Sequence, residues 1–218
     1  MTRTAICGDN HGHFDLMYKK ALQLNPDTII QVGDTGMFPH PEKADYASKK
    51  HGVPTDFLGY LNGEKKIPIL TYLFQGNHED FDFLEGKDGE IIPGLIFVPQ
   101  GRVITVNGTR FGVLGGNYSP TFYTADSLSQ ARRRHFTHKH VEAIEQQGFD
   151  VLLSHDGPKT WSLPRGCQEI TDLIERARPS HAYHGHHHYS YETNIGDTKV
   201  VGLDKVDGSY RSLKLHEN

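Results

Sequence analysis

Five short clusters hold the residues whose types and spacing could do chemistry: Asp9-Asn10-His11, Gly33-Asp34, Gly76-Asn77-His78-Glu79, Ser154-His155-Asp156 and Gly185-His186-His187-His188. Carboxylate, amide oxygen and imidazole are the ligand set of borderline divalent metals such as Mn, Fe and Zn. Both cysteines, Cys7 and Cys167, lie outside the clusters, which excludes a structural zinc site of the cysteine type. Glycine beside each acidic or imidazole group lets the backbone turn tightly around a charged centre. In Asp9-x-His11 and His186-x-His188 an extended backbone would point both side chains the same way, so each pair can share one site. Singly, each cluster has an ordinary reading as a helix cap, a turn or a solvated loop. The joint occurrence is far more specific, and so is a chain with 15 histidines.

Strands are what must bring these clusters together. Arg3 to Cys7 is short, mostly apolar and ends at Gly8-Asp9. An amphipathic stretch follows, with Phe14, Leu16, Met17, Ala21, Leu22 and Leu24 at roughly helical spacing. Residues 28–32 read as a buried strand closed by Gly33-Asp34, and 67–74 as a third strand ending at Gly76-Asn77. Residues 35–53 look like a long loop, and Asp56 to Leu61 like a short helix. This order predicts crossover connections and an α/β architecture. Ligands of such sheets sit outside the carboxyl ends of the strands, where residues 9–11, 34 and 77–78 fall. In the second half, Asn107-Gly108 between 102–106 and 110–114 is a strong hairpin signal. Residues 127–147 read as a helix, 150–153 as a strand ending at Ser154-His155-Asp156, and 170–178 as a short helix before Pro179. His181 to His184 leads into the histidine cluster, and closing strands are expected near 199–203 and 210–214.

Taken together, Asp9-x-His11, Gly33-Asp34, Gly76-Asn77-His78-Glu79, His155 and Gly185-His186-x-His188 resemble the motif series of the calcineurin-like metallophosphoesterases, from residue 4 to about 190. The resemblance implies a four-layer α/β/β/α sandwich of two mixed sheets, here as a single domain over residues 1–218. It implies two divalent metal ions (Mn, Fe or Zn). Asp9, His11 and His188 would hold one, and Asn77, His155 and His186 the other, with Asp34 bridging. It implies a phosphoric ester hydrolase in which a metal-bridging hydroxide attacks phosphorus. His78 matches the family's histidine that points at the phosphate or the leaving oxygen, as an acid or a charge-neutralising group. The reading from a different class is a non-catalytic metal-binding scaffold of the same fold that mediates protein interactions.

A second likeness is local. Asp150-Val151-Leu152-Leu153-Ser154-His155-Asp156-Gly157-Pro158 is similar to the Leu-Ser-His-Asp-x-Pro segment of RNA lariat debranching enzymes. Those enzymes carry cysteine where this chain has Asp9, and are considerably longer. The likeness points to a phosphodiester or nucleotide substrate, although the residues alone leave a phosphomonoester or phosphodiester, and a nucleotide, nucleic-acid or protein substrate, open; Asn10, Arg132, Arg133 and Arg134 are candidate substrate-binding residues, the three arginines alternatively a solvated helix face. Tyr46, Phe57, Tyr60, Tyr118, Phe122 and Tyr123 are candidate pocket walls or, more simply, loop-packing residues. His13, His40, His51, His138, His140 and His216 are expected to be solvated, His187 to point away from its neighbours' ligand site, and His181 and His184 to be candidates for support behind the ligands. A net charge of −4 gives no general attraction to nucleic acid or anionic lipid, although a local basic groove is compatible with it. No run of 18 apolar residues is present, so no membrane partner is expected. The N-terminal residues argue against a signal peptide, and two cysteines make no disulfide framework, so a reducing, cytoplasmic setting is expected.

Overall fold

The computed structural model describes residues 2–50, 55–207 and 209–217. The first half runs β1 (Arg3–Cys7), α1 (Phe14–Ala21), β2 (Thr28–Gln31), α2 (Tyr46–Lys50), α3 (Asp56–Leu61), β3 (Thr71–Leu73), α4 (Phe81–Leu84), β4 (Gly89–Ile92) and β5 (Leu95–Phe97). The second half runs β6 (Arg102–Val106), β7 (Thr109–Leu114), α5 (His138–Gln147), β8 (Val151–Ser154), α6 (Gln168–Ala177), β9 (His181–His184), β10 (Tyr191–Ile195), β11 (Thr198–Gly202) and β12 (Leu213–Glu217). Two six-stranded mixed sheets result, in the orders β12-β1-β2-β3-β5-β4 and β10-β11-β9-β8-β7-β6. Each has four parallel strands at its centre and an antiparallel strand at either edge.

The layering follows from the alternation of side chains along each strand. In β1 and β2 the paired residues Ile6 and Ile30 face inward, whereas their paired neighbours Ala5 and Ile29 face outward. In the second sheet Leu153, Tyr183 and Val201 are in register on the inner face, and Leu152, Ala182 and Val200 on the outer face. The inner rows of both sheets meet in one central core that also holds Val32, Phe74 and Phe111. The outer row of the first sheet packs on Phe14, Met17, Phe57 and Tyr60 of α1 and α3. That of the second packs on Val141 and Ile144 of α5 and on Ile170 and Leu173 of α6. Strands buried on both faces read as continuous apolar runs, and the four layers α/β/β/α are the arrangement that buries both faces at once.

Several elements depart from the sequence reading. The expected strand over 67–74 contracts to β3, because Pro68 has no N–H for the ladder and Leu70 is 41% exposed. β4 and β5 are too short, and too close across Pro93-Gly94, to give a period of their own. The loop over 35–53 contains a 3-10 turn at Pro41–Lys43 as well as α2. The helix expected over 127–147 is broken: Gln130–Arg134 is a 3-10 turn, and α5 begins only after Thr137, whose extended backbone caps it. The last strand lies at β12, three residues beyond its expected place. The Asn107-Gly108 turn is as expected, with φ of 52° and 85° and Val106 paired to Thr109. Among the described residues no helix is long and apolar enough to cross a membrane.

Candidate metal centre

Asp9 lies two residues beyond β1, Asp34 three beyond β2 and Asn77 four beyond β3, all on the first sheet. His155 follows β8 directly, and His186 and His188 follow β9, all on the second. These are carboxyl ends of parallel strands, and the packing of the two sheets brings the five segments together. Three groups of convergent ligand atoms result, Asp9 with His11 and His188, Asp34 with His155 and His186, and Asp156 with His186 and His187; the first two draw on both sheets. Within the first, His188 Nε2 lies 3.0 Å from Asp9 Oδ2 and 2.9 Å from His11 Nε2. Within the second, His155 Nε2 lies 3.2 Å from Asp34 Oδ1 and 3.0 Å from Asn77 Oδ1. The His155 ring is aimed by Nδ1, which is 3.0 Å from the Val32 carbonyl.

The backbone that achieves this is unusual. Left-handed φ angles occur at His11 (43°), Asp34 (50°), His186 (64°) and His188 (49°). Such conformations cost energy for residues with a side chain and concentrate at functional sites. They also overturn the extended geometry expected for His186-x-His188: the left-handed turn sends the two rings to different groups. Two glycines make room for close approach. A Cβ on Gly185 would stand 2.0 Å from Asp9 Oδ1, and one on Gly76 would stand 2.1 Å from the Asp34 nitrogen. Both Asp9 oxygens accept from the His186 N–H at 3.0 Å, and Asp34 Oδ1 accepts from the N–H groups of Asn77 and His78 at 2.8 and 2.9 Å.

Electrostatics at the centre favour positive charge. Burial alone would raise the Asp34 carboxyl, but the facing His155 outweighs it and holds the group well below the usual carboxylate range. Asp9 is also lowered, burial being outweighed by the bond from His188 and the nearby His155 and His11 rings. Burial likewise works against charge on His155, yet Asp34 and Asp9 push its pKa up to about 10. The same two carboxylates favour a cation in place of that proton, since metal binding and deprotonation of the ligand are linked. Carboxylate, amide and imidazole donors converging in this way fit divalent Mn, Fe or Zn.

His78 stands beside this centre, its ring centroid 6.4 Å from that of His11. Its Nδ1 is 2.7 Å from Asp45 Oδ2, and both side chains are partly exposed. Burial opposes charge on His78, but the Asp45 bond and the Asp34 charge raise its pKa. Asp45 was not legible as a functional residue; it lies 33 residues before His78 and outside every motif. Glu79 is another such residue, although it is the last letter of the Gly-Asn-His-Glu cluster. Buried, it accepts from Thr35 N and Oγ1 at 2.7 and 2.6 Å and from Gly76 N at 3.1 Å, so it ties the Asp34 and Asn77 turns together. Burial and the Asp34 charge push its pKa up to about 7. A third is Asp156, which accepts from Tyr118 N at 3.0 Å and meets His187 Nε2 at 3.0 Å, so His187 is turned from the first two groups onto that carboxylate.

The remaining candidates are dispersed. Asn10 is wholly buried, and its amide meets no hydrogen-bond partner among the described residues. The three arginines do not share a helix face, because their segment is the 3-10 turn. Arg133 reaches Asp82 and Glu85 at 3.3 and 3.1 Å, and Arg132 lies over the Phe122 ring. Arg134 lines, with Lys43, Asp45 and Asp80, a cavity of about 340 Å³. Phe57 and Tyr60 belong to the outer core of the first sheet, and Tyr118 and Tyr123 pack against that of the second, so the packing explanation holds for these four aromatics. Two histidines expected in solvent are not there: His216 is buried beside Tyr183, and His140 caps α5. His184 is buried against Tyr191 directly before the ligand turn, whereas His181 stacks on Tyr183; His51 lies outside the described residues.

Comparison with known proteins bears on the family and the fold. The profile of the family described as calcineurin-like phosphoesterase matches residues 2–190. A lariat debranching enzyme of Schizosaccharomyces pombe is 28% identical over 197 residues, covering 81% of this chain and 40% of that protein. The human lariat debranching enzyme is 25% identical over 257 residues, covering 93% of this chain and 47% of that protein. The chain thus spans less than half the length of these two relatives. Among solved structures, TT1561 of Thermus thermophilus superposes with a TM-score of 0.63 at 12% identity, over 99% of this chain and 98% of that one, a likeness of fold.

Proposed function

The chain belongs to the calcineurin-like phosphoesterase family, and we propose that within it the protein hydrolyses a phosphodiester of nucleotide or nucleic-acid type. The observation that carries this reading is the pairing of two convergent ligand groups with an imidazole held beside them by a carboxylate. Asp9, His11 and His188 would hold one divalent cation, and Asn77, His155 and His186 a second, with Asp34 serving both. Bound there, the cations would supply Lewis-acid polarisation of the phosphoryl oxygens and acidify water toward neutral pH.

The chain's own residues supply the rest. The N–H groups of Asn77, His78 and His186 fix the two carboxylates, so the centre is preorganised. With Nδ1 turned to Asp45, the Nε2 of His78 is the ring nitrogen left to face the ester. Protonated, it gives its proton to the leaving oxygen as the P–O bond breaks, and water supplies the hydroxyl that replaces it. Support for a diester comes from the resemblance to lariat debranching enzymes around residues 150–158 and from their identity to this chain. The two cysteines, both buried and unpaired, suit a reducing, cytoplasmic setting.

The test is hydrolysis of a generic aryl phosphodiester and monoester with Mn added. Diester turnover is expected, and His78→Ala should retain its metals while losing about 10²–10⁴-fold in kcat. Metal-replete protein that turns over neither ester would overturn the reading in favour of a non-catalytic scaffold.

A further inference from the structure

The chain has one tryptophan, Trp161, and it is 97% exposed. Other exposed aromatics are engaged: Lys50 lies over Tyr46, and Lys20 over Tyr210. Trp161 instead sits at the tip of a tight turn in the loop between β8 and α6. Thr160 and Leu163 exchange both backbone hydrogen bonds at 3.1 Å, and the Thr160 hydroxyl accepts a further bond from Leu163 N at 3.0 Å. The loop's two ends are tied by an isolated parallel bridge between Pro158 and Cys167. Leu163 and Cys167 are buried in the outer core of the second sheet, and Thr171 of α6 donates to the Lys159 carbonyl. A fully solvated indole on a pinned support is not a packing residue; it is presented to whatever approaches that face.

What surrounds it indicates to what. The loop follows His155-Asp156 directly, and Arg165 Nη2 on its returning arm bonds the His187 carbonyl at 3.2 Å, between the two ligands His186 and His188. Arg165 is four positions after Trp161, which limits their Cα separation to about 14 Å. Tyr189, the residue after His188, is 50% exposed and stacks on Tyr191 at 5.6 Å between centroids and 25° between planes. The Tyr191 hydroxyl meets both His184 Nε2, at 2.8 Å, and the Thr160 side chain next to Trp161. Lys159 and Arg165 are exposed on the same loop. Two exposed aromatic rings and two cations are therefore held on a fixed frame at the edge of the ligand turn.

We propose that Trp161, Tyr189, Lys159 and Arg165 form a stacking platform for the single-stranded nucleic acid that flanks the scissile phosphodiester. The inference rests on the phosphodiesterase reading and names how that site would grip its substrate. Every base has a face that stacks on an aromatic ring, and neighbouring cations follow the backbone phosphates. In a chain of net charge −4, such local cations have to supply the attraction.

The sole tryptophan reports on its own occupancy. Titrating oligouridylate into protein held in chelator should quench its emission to saturation, less strongly as salt rises. Labelled oligouridylate should bind Trp161→Ala about 5- to 150-fold more weakly, the range for loss of one base–aromatic stack, and Trp161→Phe nearly as well as the parent. Lys159→Ala and Arg165→Ala should each reduce the salt slope by about one. With bis-p-nitrophenyl phosphate, Trp161→Ala should keep the parent kcat and KM. Full aryl-diester hydrolysis with undiminished oligonucleotide binding by Trp161→Ala would overturn the platform and leave the phosphodiesterase reading intact. A blue-shifted emission with anionic vesicles, or with rising protein concentration, in place of oligonucleotide quenching would overturn it in favour of a lipid surface or self-association. Loss of all ester hydrolysis in the metal-replete parent would instead sink the underlying reading.

Discussion

At His78 the imidazole is bonded through Nδ1 to Asp45 at 2.7 Å, so one carboxylate sets both the tautomer and the affinity for a proton. Burial opposes the charged ring, and the Asp45 bond raises its pKa. Replacing Asp45 by Asn keeps a hydrogen-bonding oxygen and deletes the charge. Whatever cations at the centre contribute, loss of that anion must lower the pKa of His78. If His78 acts as the acid, the alkaline limb of the kcat profile moves to lower pH in Asp45→Asn, and kcat falls at neutral pH while KM for a small diester changes little. A pH–rate profile measured on both proteins checks this. An alkaline limb in the same place would show that the limb belongs to another group. No motif marks Asp45. A carboxylate inside a loop rich in Lys and His is indistinguishable in sequence from a solvated one, and only the return of the 35–50 segment across α4 brings it to His78.

The start of α5 shows a similar dependence at the level of an element. Thr137 and His140 form a reciprocal cap: the Thr137 side chain meets the backbone of His140, and the Thr137 N–H donates to His140 Nδ1 at 3.0 Å. Glu or Gln is the usual third-position partner in this box, and neither loses its acceptor when protons are added near neutral pH. A histidine accepts only when neutral. Burial first, and then the charge of His138, lower its pKa from 6.5 to about 4. The sign follows: below about 6.5 the unfolded chain takes up a proton that the folded chain refuses, so the contribution is complete above 6.5 and fades as pH falls toward 4. Its ceiling is about 3 kcal/mol, from roughly 1.4 kcal/mol for each unit of difference. His140→Gln should match the parent in urea midpoint at neutral pH and exceed it progressively through that window; a constant difference between the two would refute the cap as its source. The sequence carried the helix but not its start. Apolar positions such as Val141 and Ile144 mark the periodic face, whereas the break at Thr137 is a matter of backbone angle, which periodicity does not record. The motif clusters were legible for the opposite reason. Each is a set of unusual residue types immediately after a buried apolar run, and chain order alone places them at the sheet's carboxyl edge. The left-handed φ at His11, Asp34, His186 and His188 had no signal, since none is glycine.

Over the whole molecule, the two groups proposed to hold cations each draw on both sheets: Asp9 and His11 with His188 across the interface, Asp34 and Asn77 with His155 and His186. Cations held there would therefore bind the two sheets to one another above their shared core. Asp9 and Asp34 are 0% and 1% exposed, and without cations their charge is balanced chiefly by protonated histidine. Divalent metal should then bind the folded chain far better than the unfolded one. Present at about 100-fold over its dissociation constant, it would stabilise by about 2.7 kcal/mol, or about 5–11 °C in Tm at this chain length. We predict one cooperative transition, because the central core belongs to neither sheet alone, with a midpoint that rises by that amount when Mn is added to chelated protein. Asp34→Asn removes the carboxylate that both groups would use. Its metal-free form should melt below the metal-free parent, since the fold favours the ionised Asp34 carboxylate and its loss leaves His155 without that buried counter-charge, and its midpoint should respond to Mn only weakly. Calorimetry of both proteins with and without Mn tests the arrangement independently of any substrate: equal shifts would remove Asp34 from the centre, and two separate transitions would show that the sheets do not unfold as a unit.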